Sequence, residues 1–143
     1  MMTESTISEK QIVLFQLGKE TYGVDITAVH EIIRMQPVTR LPNAPIFVEG
    51  VINLRGRVIP VVNMGKRFGL ERVEEHKNNR IVVLDIIGTT VGIIVDEVKE
   101  VLRISPASVE AASKADYLQG IAKLGDRMVM LLDLDQALGR ANE

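Results

Sequence analysis

The amino-acid sequence predicts a mainly-β protein, two small five-stranded β-barrels packed together with a few short helices, and three observations carry that prediction. Valine (18) and isoleucine (15) supply the β-branched side chains that strands favour. Turn residues interrupt the apolar runs often, and stretches with a 3.6-residue period are short, around Asp25 to His30, Asn63 to Gly69 and Asp133 to Leu138. The chain also repeats itself. "GVINLRGRVIPVVNM" (Gly50 to Met64) lies on "GIAKLGDRMVMLLDL" (Gly120 to Leu134) without a gap, matching Gly50 with Gly120, Leu54 with Leu124 and Arg57 with Arg127. Upstream, "GVDITAVHEII" lies on "GIIVDEVKEVL" and places Val29 on Val98, Glu31 on Glu100 and Ile32 on Val101. Two matches in one order, both at an offset near 70, indicate an internal duplication.

Each copy reads alike. A first strand (Gln11 to Leu17; Arg80 to Ile87) turns into a second (Thr21 to Ile26; Val91 to Val95). A short helical turn leads to a third (Glu31 to Met35; Glu100 to Ile104), then a connector, a β-hairpin and a brief helix. Five short strands curling on themselves suit about 60 residues. The expected organisation is a flexible tail over 1–10 and one domain over 11–143, built of halves at 11–70 and 80–138. A charged linker, 69–80, joins the halves, and strand exchange between them stays open. In the connector "QPVTRLPNAP", Pro37, Pro42 and Pro45 disfavour helix and ladder alike. Pro60 cannot donate to a ladder, so its strand is expected to be an edge or bulged there.

Composition removes several function classes. At 143 residues and net charge −2 the chain holds one domain and lacks the basic excess of a nucleic-acid binder. With no cysteine there are no disulfides, zinc-thiolate sites or thiol nucleophiles, and only His30 and His76 offer imidazole chemistry. "MMTESTISEK" lacks the apolar segment of a secretory signal, and "RIVVLDIIGTTVGIIVDEV" is split by Asp85 and a Gly88-Thr89-Thr90 turn. A cytoplasmic location without membrane insertion is expected. Phosphate-loop, nucleophile-elbow, zinc-protease and dinucleotide motifs are absent. Asp133 and Asp135 lack the further oxygen ligands of a calcium loop, and Asp135 reads as the cap of the last helix. Asp96, Glu97 and Asp116 read as a solvated face, His76 as a solvated side chain, and His30 as structural or superficial. Neither catalysis nor a cofactor is expected.

One feature stands out from this background: the cationic tip Leu54-Arg55-Gly56-Arg57 between two apolar runs. Arg55 there is either a docking group or a solvated turn residue. The apolar run Val58, Ile59, Pro60, Val61 and Val62 offers a strand edge for a protein partner.

The order of "YGVDITAVHEIIR", the proline-punctuated loop, "FVEGVINLRGRVIPVVNM", "VGIIVDEVKEVLRIS" and "YLQGIAKLGDRMVMLLDL" resembles the CheW family of bacterial chemotaxis coupling proteins, from about Gln11 to Leu138. The resemblance implies two SH3-like barrels and a noncatalytic adaptor. That adaptor would hold the histidine kinase CheA, through its regulatory domain, to the cytoplasmic tips of chemoreceptors in membrane-associated arrays. It implies a receptor groove with Val29, Glu31, Gly50, Arg55, Val101 and Leu102, in which Arg55 and Glu31 pair, and a kinase contact for which Val58 to Val62 is the candidate. Gly125 stands where Arg55 is, so only the first copy would carry the arginine function. The competing reading is a small ligand-binding or enzymatic double barrel that uses the inter-barrel cleft, with Arg55 holding an anion.

Overall fold

Alternation of buried and exposed residues along short Val/Ile-rich segments produces strands, and the computed structural model describes residues 9–69, 75–86, 88–111 and 117–138. The strands are β1 (Lys10–Leu17), β2 (Glu20–Asp25), β3 (Val29–Arg34), β4 (Val48–Leu54), β5 (Arg57–Asn63), β6 (Arg80–Ile86), β7 (Thr89–Val95), β8 (Glu97–Ile104), β9 (Val109–Glu110), β10 (Leu118–Leu124) and β11 (Arg127–Leu132). Helices α1 (Met64–Arg67) and α2 (Leu134–Leu138) each follow a hairpin. The helical period at Asp25 to His30 yields only a 3-10 turn, Ile26–Ala28, because Val29 onward finds a ladder partner in β6. Lys10 belongs to β1 rather than to a tail, and residues 1–8 lie outside the described chain. Of the expected linker, 70–74 also lie outside it, Asn79 is buried and Arg80 opens β6.

The sheets do not follow the two sequence copies. One sheet has the order β8-β1-β2-β11-β10-β9 and the other β3-β6-β7-β5-β4. We call them the terminal and the central barrel. The strand exchange left open for the halves 11–70 and 80–138 is therefore present. Hairpin β1–β2 leaves its own copy and pairs in parallel with β11, through Thr21–Gly23 against Val129–Leu131. Hairpin β6–β7 makes the reciprocal move onto β5, through Gly92–Ile94 against Val61–Asn63. The cause is connection length. β2 reaches β3 through a three-residue turn, and β7 reaches β8 through Asp96 alone, too little chain to fold back beside its own sheet. The terminal barrel has six strands instead of five because β9 pairs for two residues with β10, whereas its first-copy counterpart is the single bridge Thr39↔Val51.

Duplication persists in the irregularities. β3 and β8 are bulged at His30 and Lys99, and β4 and β10 at Glu49 and Gln119, so each bulge occurs once per copy. Pro60 sits opposite Val51, just before parallel pairing with β7 begins at Val61. Its strand is therefore interior to the sheet, with an open side only at Pro60 and the residues before it.

Alternation along β1 splits its side chains. Ile12 and Leu14 enter a small core with Ile104, Ala122, Val129 and Leu131, the interior of the terminal barrel. Val13 and Phe15 point the other way, into a larger core shared with Val82, Leu84, Ile59, Val61 and other central-barrel residues. The seam between barrels is thus packed apolar surface. Aromatic rings cross it in a stack, Phe15 on Tyr22 (centroids 6.1 Å apart), Tyr22 on Phe68 (5.5 Å) and Phe68 on Tyr117 (4.2 Å). Burial, with Tyr117 and Glu20 nearby, pushes the Tyr22 hydroxyl up to about 12. Arg67 lies on the Phe47 ring and its Nε donates to the Ala137 carbonyl at 2.7 Å, tying α1 to α2.

Gly50 and Gly120 are matched because both closely approach the backbone of a preceding segment. A Cβ on Gly50 would lie 2.0 Å from the Thr39 carbonyl oxygen, and one on Gly120 2.8 Å from that of Glu110. Gly50 also has φ +149°, a conformation side chains resist. Gly50→Ala is expected to lose about 2 to 4 kcal/mol in urea unfolding through overpacking and strain together. A loss under about 1 kcal/mol would mean that the segment around Thr39 yields freely.

Candidate functional site

The hairpin tip is built by a two-residue turn. Leu54 pairs with Arg57, so Arg55 and Gly56 form the loop, with φ 53° and 86°, both in the left-handed region. Glycine accepts that conformation and arginine resists it. The counterpart loop in β10–β11 places Gly125, at φ 65°, where the first copy has Arg55. Asn53 steadies the tip by accepting from Gly56 N at 2.8 Å.

From that position the guanidinium reaches β3. Arg55 Nη1 donates to Glu31 Oε2 at 2.5 Å and Nη2 to Oε1 at 2.7 Å, a two-pronged clasp that fixes the plane of both groups. Arg55 keeps 69% of its side-chain surface exposed while Glu31 keeps 21%, so the cation faces solvent with its carboxylate behind it. The hydrogen bonds from Arg55 hold the Glu31 carboxyl below its ordinary range, and Arg55 is held above its own. Arg57 turns instead to Thr90 Oγ1 at 2.9 Å, and Thr90 donates to Asp85 at 2.8 Å. In the second copy, where no tip arginine competes, Arg127 pairs with Glu100 at 3.2 Å. The acid is thus paired in both copies, and the donor moves from the tip to the strand.

The other expected groove residues divide. Val29 pairs with Leu84 and Val101 with Val13, which turns both toward the seam. Val101 remains 46% exposed at its margin. Leu102 points inward onto the terminal-barrel core, and Gly50 is buried beneath the Thr39 bridge. Gly50 is thus framework, while Leu102 keeps part of its surface exposed. The sequence reading missed Ile32, which pairs with Val82 on the seam face and is 40% exposed. Its match with Val101 in the repeat was the available signal.

Of the expected kinase strip, Ile59, Val61 and Val62 are core residues with almost no exposed surface, which removes them as contacts. Val58 is 68% exposed and Pro60 half-buried. Met128, the second-copy counterpart of Val58, is 54% exposed. Asp133, not Asp135, caps α2, accepting from Gln136 N at 3.2 Å. Asp96 is likewise more than a solvated carboxylate, since it accepts from Gly18 N at 2.6 Å. Asp116 lies outside the described residues. Among the described residues no three His, Asp or Glu side chains converge on a metal position, and no helix is long and apolar enough to cross a membrane. Cavities of about 700, 660, 560 and 210 Å³ open among the described residues, and Arg55 lines none of these four. The cleft required by the ligand-binding reading is filled by the apolar seam.

A duplicated double barrel with exposed apolar and cationic tips defines a protein-docking scaffold. The comparisons identify which. Residues 11–142 match the CheW-like domain family, and the chain belongs to it, among noncatalytic chemotaxis scaffolds. The chain is 36% identical over 135 residues to a chemotaxis protein CheW of Klebsiella aerogenes, covering 90% of this chain and 81% of that one. It is 35% identical over 134 residues to a CheW of Treponema pallidum, with 87% and 79% covered. The crystal structure of the scaffolding protein TtCheW from Thermoanaerobacter tengcongensis superposes with a TM-score of 0.83 at 41% identity, over 87% of this chain and 89% of that one.

The clasp has a pH signature. A carboxylate held below its ordinary range contributes stability that is present above its unfolded value, about 4.3, and lost as pH falls through the lower folded value. Carboxyl NMR of Glu31 is therefore expected to titrate below about 4.3 and to move up toward that value in Arg55→Gly. Equal midpoints in the two proteins would show the clasp absent in solution.

Proposed function

We propose that this chain is the cytoplasmic adaptor that joins the histidine kinase CheA to the cytoplasmic tips of chemoreceptors, and that Arg55 presents its guanidinium to the receptor at the margin of the barrel seam. Recruitment to membrane-associated receptor arrays follows from that role. The observation that carries the reading is the conformation of Arg55. A non-glycine residue is kept at φ 53°, where the second copy has glycine, and its side chain is held flat by Glu31 while largely exposed. Backbone strain kept at an exposed position points to selection for something other than stability. Ile32 and Val101 supply apolar surface along the same seam, and Val29 backs them. For the kinase, Val58 and Met128 offer one exposed apolar residue on each barrel's hairpin. Family membership supports both partners.

The receptor role separates from folding by substitution. Arg55→Gly suits the turn and is expected to keep the melting temperature within about 3 °C of the parent, with kinase binding intact. Receptor-dependent control of kinase autophosphorylation should fall severalfold in a mixture of kinase, receptor fragment and adaptor. Arg55→Lys should fail to restore it, because an ammonium cannot reproduce the two-pronged geometry. Full control with lysine, or a melt many degrees lower with glycine, would reduce Arg55 to a generic charge or a fold element.

The kinase contact is tested by Val58→Lys and Met128→Lys. At least one is expected to weaken kinase binding about tenfold or more in calorimetry while leaving the circular dichroism spectrum unchanged. Normal binding by both would move the interface elsewhere.

A further inference from the structure

The bulge in β3 gives the two barrels a chemical difference. A bulge leaves one residue out of the ladder and re-aims its side chain. That residue is His30 in β3 and Lys99 in β8. Lys99 lies 3.4 Å from Glu97. An imidazole carries a charge only when protonated. His30 stands between two carboxylates, with Nδ1 3.4 Å from Asp85 Oδ2 on β6 and Nε2 3.6 Å from Glu31 Oε2. Neutral imidazole has one N–H and can serve one of them, whereas imidazolium serves both. The Glu31 oxygen it faces is the one that accepts from Arg55 Nη1. Arg55 and Arg57 complete the surroundings, Arg55 behind Glu31 and Arg57 behind Thr90 and Asp85.

We propose that His30 is a positioning residue for Arg55 that acts through Glu31: charging the imidazole draws Glu31 Oε2 toward His30 and releases Arg55 Nη1 for an acidic partner. With His30 neutral, Glu31 and Asp85 balance Arg55 and Arg57. With it charged the cluster carries one net positive charge. Both effects act in one direction, so acidification strengthens attraction for an acidic surface. Glu31 does not interfere, since its own protonation belongs to a more acid range. The identity of the partner rests on the function proposed above, while the proton-linked change at Arg55 does not.

The test reads both levels. Guanidinium NMR signals of Arg55, assigned with Arg55→Lys, are followed from about pH 8 to about pH 5.5, the range in which an imidazole charges. The parent protein is expected to shift Arg55 in step with the His30 ring signals. His30→Gln should remove that shift, and His30→Lys should give the acid-side signals already at about pH 8. An unaltered Arg55 titration in His30→Gln, or neutral-side signals in His30→Lys, overturns the proposal. Affinity for a receptor cytoplasmic fragment, measured in parallel, should tighten about two- to fivefold on acidification of the parent, the size expected of one exposed charge, and stay flat in His30→Gln. Should the NMR linkage hold while receptor affinity stays flat in the parent, the proton link stands and the receptor assignment of Arg55 fails.

Discussion

Neither barrel can close without a hairpin from the other sequence copy, and every other feature depends on that exchange. Parallel pairing of β2 with β11 and of β7 with β5 stitches residues about 110 and 30 positions apart into single sheets. The same hairpins turn Val13, Phe15, Val82 and Leu84 outward from their barrels and into the seam. A packed seam stores no ligand. It packs the two barrels against each other, and Ile32 and Val101 stand partly exposed along it.

The functional asymmetry is written on this symmetric frame by few residues. Bulges, close-approach glycines and Glu31/Glu100 occur in both copies. What differs is the donor. Arg55 takes Glu31 at the tip, which displaces Arg57 to Thr90, whereas Arg127 keeps Glu100. One residue in a disfavoured conformation thus redirects a second arginine and creates a forward-facing guanidinium on one barrel only.

Strand locations were legible because β-branched runs and turn residues are local signals. The run expected at Gln11 to Leu17, for example, falls on β1. The repeat was legible too, and with it the equivalence of Ile32 and Val101. Which strands pair was not, since Val13 alternates with Ile12 in the same way whether β1 lies beside its own copy or the other. That choice is made by the brevity of the β2–β3 and β7–β8 links. The Arg55–Glu31 clasp came from resemblance to a family; spacing alone cannot place a turn residue beside a carboxylate 24 positions away. Burial of Ile59, Val61 and Val62 escaped because an apolar strand buried on both faces reads like one with an outer face.

The reciprocal hairpins also carry a history. A chain of half this length, with one copy of the pattern, could complete its barrel only by lending a hairpin to a second molecule and borrowing one in return, as a domain-swapped dimer does. Joining two such subunits end to end gives the topology of this protein. Fusion removes the concentration dependence of the pair and, equally, the obligation to stay identical. The two tips are then free to differ, with glycine at one and arginine at the other.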